Sequence, residues 1–442
     1  MKYKVVSLFS GAMGLDIGLH QTERFDLLAA IEKVPAFCET ARINIALGNI
    51  TPDATVFESD ICALDPLDVL DRLKLKPGDI DVLVGGPPCQ SFSTAGRRGT
   101  VQDPRGTLLW QFLRYVQVLQ PKFFVMENVR GLVSAALKHR PIAERKLRPL
   151  ELEEEPGSVL RLFAKDLADL NGAKYSMEAF EVNSVNYGAP QIRERVLFIG
   201  NRYGAKISFP DPTHGPVSEI QPHGGGDLFS GKNLLPWATL RDALSGLNDP
   251  DPQIVDFSER KKGYLAKIPP GTNWRSLSEA DQKESMGKAW FAKGGRSGWW
   301  RRLTYDLPCP TLMTLPNHAS TSLCHPEETR ALSVREYARV QEFPDYWKFS
   351  GKLAEQYTQI GNAVPTRLGK VVGEVVAREL DDLKRRRWKC YPTTDEPFKI
   401  TYVQSHIRTR SWFKDGQVEV WGDGGDSSYS LPKTKKKSKN IG

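Results

Sequence analysis

The sequence is short of cysteine, of long apolar runs and of repeats. Its six cysteines, Cys38, Cys62, Cys89, Cys309, Cys324 and Cys390, are scattered, and none forms a C-x-x-C pair. That excludes a disulfide scaffold and reads as a reduced, intracellular chain. Cys309, His318, Cys324 and His325 lie near one another, but their spacing matches no zinc-finger pattern, so no metal is expected. The N-terminal MKYKVVSLFSG holds a five-residue apolar run before Ser10 and Gly11, too short for a signal peptide or a membrane span. A cytoplasmic protein with no membrane partner is expected. No internal repeat is visible. The turn after the first apolar run lacks the G-x-G-x-x-G of dinucleotide enzymes, which disfavours a nicotinamide oxidoreductase.

What is present is a chain of 442 residues, 40% hydrophobic and 26% charged, long enough for two to three domains and a large core. The formal net charge is +8 and the pI about 9.0, which favours an acidic partner, nucleic acid being the commonest. Five lysines in 433–439 contribute to that total, and without them the body is still mildly basic.

Val5 to Phe9 reads as a buried strand that ends in a glycine turn at Ser10-Gly11. Helices are predicted over 14–20, 33–46 and about 107–119, and strands over Leu28–Ile31, 80–84, Phe123–Met126 and 196–200. Strands alternating with helices imply an α/β fold with a mostly parallel sheet. Ligands then bind beyond the carboxyl ends of the strands, which is where Ser10-Gly11, Glu32, Asp60, Cys89 and Glu127 fall. Residues 138–157 are densely charged and read as an exposed loop. From 201 to 300 the chain is rich in Gly, Pro, His and Trp with weak periodicity, as in a separate irregular domain. Alternating character returns from about 330 to 380. Strands are possible over 398–410 and 417–421, and the Lys-rich end is expected to be disordered.

The segment Gly85 to Ser93, GGPPCQSFS, carries the most chemistry. Glycines and prolines after a strand fix a rigid turn that presents Cys89 where ligands meet. Once ionised, a thiol there is a nucleophile. Glu127 of the ENV triplet follows the next strand and can hydrogen-bond or protonate a base ring. The Ser10–Gly14 turn lets a cofactor approach the backbone. Glu32 is placed for ribose hydroxyls, and Asp60-Ile61 for framing an adenine.

Taken together, SLFSGAMG, Glu32, SDI, GGPPCQSFS, ENV, QIRERV, RRLTYDLPCPT and QIGNAVP resemble, in order and spacing, the motif series of the cytosine-5 DNA methyltransferase family, over roughly residues 4–200 and 300–378. The resemblance implies a class I S-adenosylmethionine-dependent methyltransferase fold, Rossmann-like, with a small irregular target-recognition domain. It implies that Phe9, Gly11 and Gly14 lie against S-adenosylmethionine, that Glu32 binds its ribose and that Asp60 and Ile61 bind its adenine. Gly86 and Pro88 fall near the methionine end, Leu108 lines the pocket, and Asn362 and Val364 complete it. Met13 stands where family members usually carry a second glycine, and it fits if its side chain points away from the cofactor.

The implied reaction suits these residues. Attack of the Cys89 thiolate at C6 of cytosine makes C5 nucleophilic, and Glu127 acts at N3. Arg193 and Arg195 alternate along an extended segment and share a face, suited to holding the base and the catalytic loop. The cytosine must leave the duplex to be reached. Gly96, Arg97, Arg98, Gly99, Arg105 and Gly106 form a basic loop after Cys89. Gly294-Gly295-Arg296 and Trp299-Trp300-Arg301-Arg302 are candidate DNA contacts. The expected organisation is a catalytic and cofactor domain over 1–200, target recognition over 201–300, a return over 301–383 and an extension over 384–442. Double-stranded DNA is the expected partner, with functional pairing to a restriction endonuclease, for a monomer of the prokaryotic cytoplasm or nucleoid. RNA methylation is disfavoured by the hundred or so residues between Arg195 and Arg301. A DNA-binding regulator without catalysis is disfavoured by Cys89, Glu127, Arg193 and Arg195.

Overall fold

The computed structural model describes residues 2–88, 107–138, 140, 144, 148–216, 234–291, 298–391, 400–403, 411–414 and 417–420. Two compact units are formed, one of Met1–Asp256, Tyr305–Pro316 and Ala331–Val403, the other of Phe257–Thr304, Asn317–Arg330 and Gln404–Gly442.

The first unit is built on strands β1 (Tyr3–Leu8), β2 (Phe25–Glu32), β3 (Thr55–Glu58), β4 (Val82–Gly85), β5 (Phe123–Val129), β6 (Ser176–Asn183), β7 (Glu194–Asn201) and β8 (Ile400–Tyr402). They form one sheet in the order β8-β6-β7-β5-β4-β1-β2-β3. All neighbours pair parallel except β7, which runs antiparallel between β5 and β6. The central strands are near-continuous apolar runs, as expected for strands covered on both faces. Val82, Leu83 and Val84 are fully buried, as are Phe123 to Met126. The helices of this part are α1 (Gly14–His20), α2 (Pro35–Ala46), α3 (Pro66–Leu73), α4 (Leu108–Leu119) and α5 (Ser158–Ala168). Pro35 opens α2, and the Asp65 side chain caps α3 by accepting from Leu67 N at 3.0 Å. One face of α4, with Phe112, Tyr115 and Val116, joins Leu8, Leu83, Phe124 and Phe198 in the main core.

The chain then leaves this core through α6 (Leu240–Leu244) and returns with α9 (Val334–Val340), α10 (Leu353–Asn362) and α11 (Thr366–Arg385); α7 (Glu259–Leu265) and α8 (Glu279–Met286) belong to the second unit. A capping box starts α9: Ser333 Oγ accepts from Glu336 N at 3.2 Å, and Glu336 Oε2 accepts from Ser333 N at 2.7 Å. Helices α1 and α11 meet backbone to backbone, since a Cβ on Gly18 would lie 2.3 Å from the Thr366 carbonyl oxygen. That contact brings the turn before α11 against the turn before α1.

Three sequence expectations look different in the fold. Glu127 and Asn128 lie within β5, paired with Leu197 and Val196 of β7, rather than after the strand. The charged stretch 138–157 contains Arg140, which is buried and ion-paired with Glu154. Trp300 and Arg302 are buried inside the second unit. The Trp300 indole donates to Ser285 Oγ at 2.9 Å, and Arg302 donates to the carbonyls of Pro326 and Glu327 at 3.0 and 2.9 Å. Both side chains are buried there, with donors taken by partners in their own unit. No helix among the described residues is long and apolar enough to cross a membrane.

Candidate active site

The parallel strands β1 to β5 end on one rim, and a cavity of about 690 Å³ opens there. Its wall takes Phe9, Gly11 and Gly14 from the first turn, Glu32 from the end of β2, Asp60 and Ile61 after β3, Gly86 and Pro88 after β4, Leu108 from α4 and Glu127 from β5. Arg193 and Arg195 enter from β7 and the segment before it, and Asn362 and Val364 from the end of α10 and the turn after it. Every described residue assigned from the sequence to catalysis or to the cofactor therefore lines one cavity of the first unit. Cys89, Gly96, Arg97, Arg98, Gly99, Arg105, Gly106 and Gly294 to Arg296 lie outside the described residues.

The turn after β1 is shaped by three left-handed residues, Phe9 (φ 54°), Gly11 (φ 53°) and Met13 (φ 66°). Met13 is fully buried and is absent from the cavity wall, so its side chain points away from the site. Gly14 has no alternative, because a Cβ there would sit 2.2 Å from the Val364 carbonyl oxygen. Glu32 is fixed by three backbone donors: Gly11 N reaches Oε2 at 3.0 Å, and Lys33 N and Val34 N reach Oε1 at 2.9 and 3.0 Å. A carboxylate has about four lone-pair sites, so capacity for one further donor remains. Asp60 accepts from Cys62 N at 2.8 Å, and that bond holds its carboxyl below the usual range.

At the other end, Glu127 Oε1 pairs with Arg195 Nε at 2.6 Å, and both side chains are about nine-tenths buried. Glu127 sits beside the β4 turn, since a Cβ on Gly86 would be 3.1 Å from Glu127 Oε2. The neighbouring Asn128 Nδ2 donates to the Pro87 carbonyl at 3.0 Å, pinning the turn that leads into Cys89. Arg193 behaves differently from Arg195. It is almost wholly buried, with Nη1 donating to Leu312 O at 3.2 Å and Nη2 to Gly361 O at 2.8 Å. Burial, and secondarily the nearby Arg195, pull its pKa well down. Gln191 Nε2 donates to Gln341 Oε1 at 2.9 Å, and Gln341 Nε2 donates to Ile360 O and Ala363 O at 2.7 and 3.0 Å. This network stitches the returning segment to the sheet. Sequence reasoning missed Ser7, Asp16 and Thr311 to Thr314, which also line the cavity. Asp16 is buried in a helix that is apolar or glycine at every neighbouring position, Leu15, Ile17, Gly18 and Leu19; that all-round pattern was the available signal.

The sequence profile of the C-5 cytosine-specific DNA methylases matches residues 3–378. The chain belongs to that family. As a member of it, the chain is an enzyme of the DNA (cytosine-5) methyltransferase class. Similar proteins include the Type II methyltransferase M.Sau96I of Staphylococcus aureus, 35% identical over 385 residues, covering 86% of this chain and 76% of that one. Another is the Type II methyltransferase M.Eco47II of Escherichia coli, 34% identical over 385 residues, covering 87% and 81%. Among solved structures, a protein encoded within an E. coli prophage aligns with a TM-score of 0.53 at 23% identity, covering 86% of this chain and all of its own. That likeness carries the fold: a methyltransferase sheet with one antiparallel strand.

Proposed function

We propose that the chain methylates C5 of a flipped-out cytosine in duplex DNA, using S-adenosylmethionine as donor and Cys89 as covalent nucleophile. The observation that carries this reading is the buried Glu127–Arg195 pair, held against Gly86 of the β4 turn, three residues before Cys89 in the sequence. The cavity fits the cofactor. Its volume lies in the range of small-molecule sites, Glu32 retains capacity for a ribose hydroxyl, and Asp60 stays ionised to accept from an adenine amino group. Phe9, Ile61 and Leu108 supply apolar wall, with Gly86 and Pro88 toward the methionine end and Asn362 and Val364 closing the site. When bound, S-adenosylmethionine supplies an electrophilic methyl group.

The chain's own residues do the rest. Cys89 thiolate adds to C6 and places electron density on C5. Glu127 holds a proton or hydrogen bond at N3, which disperses the charge that develops on the ring. Arg195 fixes the Glu127 carboxylate for that task. Loss of the C5 proton after transfer releases Cys89. Arg193 we assign to positioning, through the carbonyls of Leu312 and Gly361. Sequence choice we assign to 201–300, with 301–383 completing the catalytic domain and 384–442 as an extension. Within that stretch and just beyond it, 257–304 carries eleven Lys and Arg against four Asp and Glu, a local excess of seven beside a net charge of +8 for the whole chain. The Type II character of the relatives supports a partner restriction endonuclease.

Duplex DNA containing 5-fluorocytosine tests the reading, since fluorine cannot leave as the C5 proton does. The full chain with S-adenosylmethionine is expected to form a covalent complex stable to denaturation, and Cys89→Ser to form none. Near-normal turnover by Cys89→Ser overturns the assignment. Bisulfite sequencing of DNA from expressing cells reports the target site.

A further inference from the structure

Four carboxylates line the cavity among the described residues: Asp16, Glu32, Asp60 and Glu127. Three have evident partners. Glu32 accepts from three backbone N–H groups. Glu127 is paired with Arg195. Asp60 is exposed, accepts from Cys62 N and faces Lys33 at 4.0 Å. Asp16 is only 4% exposed, and its Oδ1 has no hydrogen-bond partner. The Ser7 side chain and the Asp16 backbone N–H act on this carboxyl, with no cation among its neighbours. Ser10 Oγ, in the turn of the same cavity, is likewise buried without a partner. Buried polar atoms left without partners are unfavourable and rare. Arg193 Nε is a third such atom among the lining residues, and the two from the β1 turn and α1 mark a place where a ligand supplies the missing groups.

We propose that Asp16 anchors the α-ammonium group of S-adenosylmethionine, an inference that rests on reading this cavity as the cofactor site. The positions along the rim select that group. Glu32 and Asp60 stand at the β2–β3 end, Glu127 stands at the β5 end, and Asp16 lies between them against Ser7 of β1. An ammonium brings both the charge and the three donors that this carboxylate lacks. Burial pushes the Asp16 carboxyl up to about 6, the behaviour of an acid whose counter-charge is not part of the protein. The Ser10 hydroxyl is placed to share the same end of the ligand.

The test is a chemical double-mutant cycle on the full chain, read by equilibrium binding. S-adenosylhomocysteine and its desamino analogue, which lacks only the α-ammonium, are titrated against wild type and Asp16→Asn. Wild type is expected to prefer S-adenosylhomocysteine by about tenfold or more, the scale of a charge-assisted hydrogen bond. Asp16→Asn is expected to bind the two ligands alike, chiefly by losing affinity for S-adenosylhomocysteine. A merely structural Asp16 would lower both affinities together and leave their ratio intact, which overturns the inference. Asp16→Ser removes the charge with a smaller side chain and serves the same cycle if the Asn variant does not fold. Wild type that binds neither ligand overturns the cofactor reading itself, whereas wild type that binds both with an unchanged ratio in the variants overturns the ammonium contact alone.

Discussion

Asp16→Asn is expected to make the ligand-free protein more stable, and the pH at which it does so is set by the site. In the folded chain burial raises the Asp16 carboxyl from 3.8 to about 6. The folded state therefore holds this proton more tightly than the unfolded state does. Well below pH 4 both states are protonated and the residue costs nothing. As pH rises through that window the unfolded chain ionises first, and the penalty grows until the folded carboxyl also ionises near pH 6. Above pH 6 it is complete, at about 3 kcal/mol for a rise of roughly two units at ~1.4 kcal/mol each. Asparagine is nearly isosteric and cannot ionise, so the variant escapes the penalty. Urea unfolding of the ligand-free chain should show Asp16→Asn ahead by about 3 kcal/mol at pH 8, by about half that at pH 5, and by nothing below pH 4. Other titrating groups are common to both proteins and cancel in the difference. Saturating S-adenosylhomocysteine should shrink or reverse the gap, because wild type gains more from binding. A variant less stable than wild type at pH 8, or a gap that does not change with pH, refutes the reasoning.

Other perturbations separate chemistry from scaffolding. Glu127→Gln keeps the shape of the side chain and should lower single-turnover methyl transfer by about 100-fold or more while S-adenosylhomocysteine affinity is retained; activity per folded molecule near wild type would make the pair with Arg195 structural. Arg193→Leu removes the donor shared by the Leu312 and Gly361 carbonyls, and should cost about 3 kcal/mol in urea unfolding and weaken cofactor binding along with it. Gly14→Ala puts a Cβ 2.2 Å from Val364 O and should weaken S-adenosylhomocysteine binding by about 1–3 kcal/mol in calorimetry, as an overpacked contact does.

Much of the site was legible because its signals are local. An apolar run stopped by Ser10-Gly11 marks β1 and its turn, and IDVLV before Gly85-Gly86-Pro87-Pro88 marks β4. The carboxylates Glu32 and Glu127 end or close such runs. What was illegible depends on contacts far along the chain. Asp16 stands among apolar and glycine neighbours, but only the fold shows that it lines a cavity completed by Asn362 and Val364, some 350 residues later. Alternation puts Arg193 and Arg195 on one face, but only the fold shows that Arg195 meets a carboxylate and Arg193 the carbonyls of Leu312 and Gly361. Trp300 and Arg302 have the composition of a DNA contact, yet carbonyls and a serine inside their own unit take their donors. The direction of β7 is set by its insertion between β5 and β6, which no local periodicity records.

The wall of the cavity is supplied by stretches of chain made at different times. Glu127 emerges early, whereas Val364, whose carbonyl lies against Gly14, is made 237 residues later. At a synthesis rate of about 5–20 residues per second this is a delay of roughly 10–50 s. During that interval the nascent strands β1 to β5 present their rim without the segment that closes it. Cofactor cannot stabilise the growing chain until the last wall arrives, so the early sheet must persist on its own packing, or with the help of a holding chaperone, until then.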